Sequence, residues 1–175
     1  MYYSDKSLIS ERNMLMNNED MFTKTCCFTG HRQIPFGKSR TIEKRLEKTI
    51  ADLVDQGYIY FGAGGALGFD TLAAKAVIKA RKTHPEIKLI LVLPCKTQAD
   101  LWNSSDRQIY EEIKSSADKV VYISDEYTKS CMFKRNRHLV DCSSVCVCYM
   151  TENCGGTAYT INYAKQKGVR VINLA

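Results

Sequence analysis

Gly62-Ala63-Gly64-Gly65-Ala66-Leu67-Gly68-Phe69-Asp70 is a glycine-rich turn set between an apolar run and a helix-period run. Before it, Tyr58 to Phe61 is a short apolar run of the kind a buried strand makes. After it, Leu72, Ala73, Ala76, Val77 and Ala80 fall on one face of a helix. Glycines at a strand-to-helix turn permit positive φ and let a ligand approach the main chain. The free N–H groups of the helix's first turn, with its dipole, favour a phosphate or carboxylate there. A tight turn without a ligand would read the same way, so the stretch establishes a βα unit before it establishes a site.

Working outward, the same alternation recurs in both directions. Thr25 to Thr29 is a first strand that breaks at Gly30-His31-Arg32. Ile42, Leu46, Ile50, Leu53 and Val54 trace the apolar stripe of a helix over 39–56, which Gly57 ends. The helix after the glycine turn is expected to run to Lys82. Pro85 closes that segment, and Ile87 to Leu93 is a continuous apolar strand ended by Pro94. A helix through Ile109 and Ile113 precedes a strand at Lys119 to Ile123. A helix from Cys131 to Asp141 is expected to carry Phe133, Leu139 and Val140 inward. Val145 to Met150 is a strand followed by the turn Gly155-Gly156-Thr157, and Ala158, Ile161 and Ala164 mark the next helix. Gly168 stops that helix, and Val169 to Leu174 is the last strand. Six strands alternating with helices, without a hairpin signal, predict a three-layer α/β/α Rossmann-like sandwich on a mostly parallel sheet.

The chain has 175 residues, 45% hydrophobic and 25% charged, which suits one globular domain. Residues 1–23 lack a sustained period and read as a poorly ordered lead-in, with 24–175 as the domain. No apolar stretch reaches the length of a membrane span and no signal-peptide pattern opens the chain, so a cytoplasmic protein without membrane association is expected. The net charge of +6 is mild and its basic residues are mixed with acidic ones, so nucleic acid is not the expected partner. Of eight cysteines, Cys26, Cys27, Cys146 and Cys148 sit inside apolar runs as small hydrophobes, and no C-x-x-C pair occurs. A reduced protein without a metal site is expected.

In an open parallel sheet, ligands bind beyond the carboxyl ends of the strands where strand order reverses. If the first strand is central, as in the order 3-2-1-4-5-6, the turns at Gly30-His31-Arg32, Gly62 to Asp70 and Gly155-Gly156-Thr157 converge on one crevice. Arg32 would supply a fixed positive charge for a phosphate and Thr157 a hydroxyl beside main-chain donors, although a surface arginine after a strand is also ordinary. His31 either bonds a ligand or works as an acid or base, or it caps the neighbouring helix. Asp70 either complements its helix dipole or binds a ribose hydroxyl. Arg135 and Asn136 lie on a solvated helix face or reach a nucleotide. Trp102 stacks on a base or anchors a loop.

Five motifs, Cys27-Phe28-Thr29-Gly30-His31-Arg32, Gly64 to Asp70, Leu93-Pro94-Cys95 with Gln98 and Trp102, Arg135-Asn136, and Gly155-Gly156-Thr157, together resemble the YpsA-like family of the SLOG superfamily. The likeness spans Thr25 to Leu174. It implies a Rossmann-like domain related to the LOG phosphoribohydrolases and the DNA-processing protein DprA. The ligand it implies is nucleotide-derived: a nucleoside monophosphate, ADP-ribose or an NAD-like compound, bound at Gly30, His31, Arg32, Gly64, Gly65, Gly68, Asp70, Arg135, Asn136, Gly155, Gly156 and Thr157, with Trp102 for base stacking. No cofactor is required, and a homodimer is compatible with the resemblance. The arginine of the LOG Met-x-x-Arg-Lys motif corresponds to Arg135, but the place of the LOG catalytic glutamate is taken by Thr160. A threonine can neither steady an oxocarbenium-like centre nor activate water at neutral pH. The expected function is therefore a sensing or regulatory nucleotide-binding module. Two alternatives stand beside it: an N-glycosidase using Asp70, His31 or Glu152, and a DprA-like single-stranded DNA binder.

Overall fold

A computed structural model describes residues 19–175. Residues 19–23 are helical, and the rest of the expected lead-in lies outside the described residues. The elements that follow are β1 (Thr25–Gly30), α1 (Ser39–Asp55), β2 (Tyr60–Ala63), α2 (Phe69–Ala80), β3 (Lys88–Leu93), α3 (Ser104–Ser116), β4 (Lys119–Tyr122), α4 (Cys131–Asp141), β5 (Val145–Tyr149), α5 (Gly155–Gln166) and β6 (Arg170–Asn173). All strand pairs are parallel, in the order β4-β3-β2-β1-β5-β6. The expected α/β sandwich is present, and its sheet is wholly parallel.

The strand order differs from 3-2-1-4-5-6. Three successive crossovers carry the chain from β1 out to β4 on one side, and only the fourth returns it to the other flank of β1. The reversal therefore falls at β1, between β2 and β5. Strand alternation splits the core accordingly. Phe28, Phe61, Leu89, Leu91 and Val147 face α1, α2 and α3, while Cys27, Val92 and Cys146 pack with Leu139, Val140 and Ala164 of α4 and α5.

Helix α1 forms because Ile42, Leu46, Ile50 and Leu53 recur at helical spacing and are buried together. Its end accounts for one shifted strand. Tyr58 N–H bonds back to the Leu53 carbonyl at 3.0 Å, and Ile59 and Tyr60 N–H both go to the Lys24 carbonyl. Tyr58 and Ile59 thus belong to the helix exit, and β2 runs two residues further, through Gly62 and Ala63. Helix α2 starts earlier than its apolar stripe, at Phe69, and stops at Ala80 rather than Lys82. Phe133 is a further correction. It is 47% exposed, because α4 turns Leu139 and Val140, not Phe133, onto the sheet. Cys26, Cys27, Cys146 and Cys148 are buried as expected. No helix among the described residues is long and apolar enough to cross a membrane.

The junction of β1 with α2 fixes the cleft geometry. Phe69, the first residue of α2, is fully buried, and a Cβ on Gly30 would stand 2.5 Å from its ring. Gly30 ends β1 because only a residue without a side chain leaves room there for α2. Gly30→Ala is expected to overpack the junction and cost about 1–3 kcal/mol, read as a lowered urea-unfolding midpoint with an unchanged slope.

Candidate functional site

Strands β2, β1 and β5 are neighbours, so the turns that follow them meet at one end of the sheet. A cleft of about 330 Å³ opens there, lined by Thr29, Gly30, His31, Arg32, Ala66, Asp70, Met132, Arg135, Asn136 and Cys154 through Thr157. The structure thus brings together Gly30, His31, Arg32, Asp70, Arg135, Asn136, Gly155, Gly156 and Thr157, nine of the residues singled out from the sequence. An adjoining hollow of about 560 Å³ shares His31 and Arg32 and adds Gln33, Ile34, Pro35, Thr151 and Glu152. A third hollow, of about 420 Å³, lies at the opposite end of the strands between β3, β4 and α4, with a mainly apolar lining.

Gly64, Gly65 and Gly68 do not line the cleft, and their surroundings say why. A Cβ on Gly64 would lie 1.2 Å from Arg135 Nη1, and one on Gly68 would lie 2.2 Å from the Arg32 carbonyl oxygen. A Cβ on Gly65, where φ is +64°, would meet the Leu93 side chain at 2.6 Å. These glycines make room for the protein itself. Gln98 clamps the turn from behind, its amide donating to the carbonyls of Gly65 at 2.9 Å and Gly64 at 3.4 Å. Trp102 packs edge-on to Tyr110 at 5.4 Å, half-buried against the core, and is not among the residues that line the cleft.

The anion that the glycine turn attracts is the chain's own carboxylate. Asp70, in the first turn of α2 and 4% exposed, accepts from Ala66 N–H at 3.3 Å and from Arg135 Nη1 at 3.3 Å. Burial nevertheless holds the Asp70 carboxyl above its ordinary range, against the pull of the Arg135 charge and the loop amides. Arg135 is itself only 6% exposed, and its Nε has no hydrogen-bond partner. Burial lowers its pKa most, and the nearby Arg32 charge lowers it further, so two cations crowd one cleft.

Across the cleft, α5 begins at Gly155 with φ of +71°, and no side chain caps its free N–H groups. Nothing lies within 4 Å of a Cβ built on Gly155 or Gly156. His31 takes a role that neither expectation named. Its Nε2 accepts from Thr151 N–H at 3.0 Å, which places the ring proton on Nδ1, and its ring meets Tyr149 edge-on. The helix contact comes from its main chain instead: the His31 carbonyl receives Phe69 N–H at the start of α2. Glu152 is exposed on the adjoining hollow. Thr160 is buried and donates back to the Gly156 carbonyl at 2.8 Å, inside its own helix. Met132, the methionine of the Met-x-x-Arg motif, and Cys154, next to Gly155, line the cleft but were not singled out as site residues.

A family model described as the YspA SLOG family matches residues 26–171. The chain belongs to that family. It is 31% identical over 140 residues to the UPF0398 protein BH1768 of Halalkalibacterium halodurans, covering 78% of this chain and 71% of that one. It is 29% identical over 138 residues to the SPbeta prophage-derived protein YoqJ of Bacillus subtilis, covering 71% and 81%. Among solved structures, DNA processing protein A from Helicobacter pylori superposes with a TM-score of 0.63 at 15% identity, covering 90% of this chain and 67% of that one. At that identity the likeness is one of fold.

Because Arg135 is buried against a single carboxylate, Asp70→Asn leaves an uncompensated charge and is expected to cost about 3–5 kcal/mol. Asp70→Leu combined with Arg135→Met is expected to recover most of that loss, measured by urea denaturation of both variants.

Proposed function

We propose that this SLOG-family domain binds a nucleotide-derived ligand, with a phosphate seated between the N-terminus of α5 and the Arg135 and Arg32 side chains. The observation that carries the reading is the buried, unpartnered Nε of Arg135 beside an uncapped helix start whose two glycines face open space. Uncapped first-turn amides and a helix dipole favour an anion, and a guanidinium adds charge-assisted donors to it. Thr157 stands in the same first turn and offers a hydroxyl to the same position. Arg32 is exposed and lines both the cleft and the adjoining hollow, which suits a second charge on a diphosphate or the steering of an incoming anion.

The same geometry supports binding over LOG-type hydrolysis. The carboxylate such chemistry would need is not at Thr160, Asp70 is engaged by Arg135 and the glycine turn, and Glu152 stands on the adjoining hollow. Sensing or regulation by the bound ligand is the activity we assign to the site.

Nucleic acid is a second reading, favoured by one feature of the surface. The basic residues looked unclustered along the chain, but α4 and α5 bring Arg137 over the rings of Tyr159 and Tyr163, with Lys167 also over Tyr163. The Helicobacter pylori protein is described by its single-stranded DNA binding mode.

A thermal-shift panel of AMP, ADP-ribose and NAD tests the first reading. A ligand at one hundred times its Kd is expected to add about 2.7 kcal/mol of apparent stability. Arg32→Ala, an exposed substitution, is expected to keep the unliganded melting temperature and lose most of the shift. No shift with any panel member would overturn the proposal.

A further inference from the structure

Resting on the nucleotide reading above, we infer that the ridge where α4 meets α5 is the platform on which the ligand's nucleobase stacks, with Phe133 as the stacking ring. Phe133 stands out on α4. Leu139 and Val140 of that helix are buried, whereas Phe133 leaves 47% of its surface to solvent. It follows Met132 and precedes Asn136, both of which line the cleft. A helix rises about 1.5 Å per residue, so Phe133 sits about 3 Å along α4 from its start at Cys131. By the same measure Tyr159 is about 6 Å along α5 from Gly155, the first residue of the anion seat. The two rings do not line the cleft itself. They stand beside Met132 and Thr157, which do, in the first turns of the two helices that wall it, within reach of a base carried by a phosphate seated there.

The ridge is also held rigid, as a stacking surface must be to gain from contact. The Phe133 and Tyr159 rings meet edge-to-face, 4.8 Å apart at 77°. Arg137 donates to the Tyr159 hydroxyl and lies 5.7 Å over its ring, which fixes Tyr159 and, through it, Phe133. An aromatic ring fixed by a neighbouring cation, beside a phosphate seat, suits a flat, electron-rich base, and base–aromatic stacking tolerates any base identity. The acidic group near the ridge, Asp141, is at the far end of α4, where it accepts from the Tyr163 hydroxyl at 2.8 Å. Trp102, the stacking candidate by residue type, is spent on the core.

The chemistry required is a base attached to a phosphate, which a free mononucleotide or the end of a single strand can both supply. Isothermal titration of ribose 5-phosphate, AMP and a 5′-phosphorylated oligothymidylate against the wild-type chain, Phe133→Ala and Phe133→Tyr separates these cases. The wild type is expected to bind AMP about tenfold more tightly than ribose 5-phosphate, the advantage that stacking one base supplies. Phe133→Ala should erase that ratio while leaving the affinity for ribose 5-phosphate unchanged, and Phe133→Tyr should restore it. Loss in Phe133→Ala for AMP alone assigns the platform to free nucleotides, and a parallel loss for the oligonucleotide assigns it to strand ends as well. An AMP-to-ribose 5-phosphate ratio that Phe133→Ala leaves intact, or a wild type that binds the two equally, overturns the platform but not the phosphate seat. Failure of all three probes to bind overturns both.

Discussion

The Asp70 carboxylate, buried between the amides of the glycine turn and the Arg135 guanidinium, is the constraint on which the rest of the site depends. It turns the usual logic of a glycine-rich loop inward. Loop amides that elsewhere meet a substrate phosphate here meet a side chain of the helix that follows them, at 3.3 Å from Ala66 N–H. That internal anion in turn holds Arg135 at the cleft floor, in a space that exists only because residue 64 has no Cβ. Two buried charges are costly to desolvate, and a hydrophobic pair would serve stability as well. What the pair supplies is a cation of fixed position on the wall of the cleft that the first turn of α5 also lines.

Two glycine turns that look alike in sequence therefore do different work. Gly64, Gly65 and Gly68 are filled by Arg135, Leu93 and the main chain at 31–32, whereas Gly155 and Gly156 have open space where a side chain would be. The first turn is part of the scaffold and the second is left open to the cleft. Topology connects them: β2, β1 and β5 lie side by side, so the turn that positions the arginine and the open turn face each other across the end of β1.

Much of this was legible in the amino-acid sequence, because it depends on local periodicity. The apolar stripe of Ile42, Leu46, Ile50 and Leu53, the continuous run ending at Leu93 and the stop at Gly168 each reflect spacing within a few residues of the chain. They established the alternation of strands and helices, and with it a parallel sandwich. The five ordered motifs carried the family, and nine of the residues they pointed to do border one cleft. Local spacing could not say that Tyr58 belongs to a helix exit, since the deciding bonds go to Leu53 and to Lys24, which a different strand's approach brings near.

Periodicity and composition thus settled the order of elements and the set of polar and glycine residues available at strand ends. Which of those residues line one cleft was settled by packing. Whether a glycine is a cradle or a gap for Arg135, whether Trp102 or Phe133 is free to stack, and whether cations and aromatics interleave all depend on atoms that lie far apart along the chain. Asp70 and Arg135 are 65 positions apart, and Arg137 and Tyr159 are 22 apart. Those distances are closed by burial of the two sheet faces against five helices, a global packing that no window of residues contains.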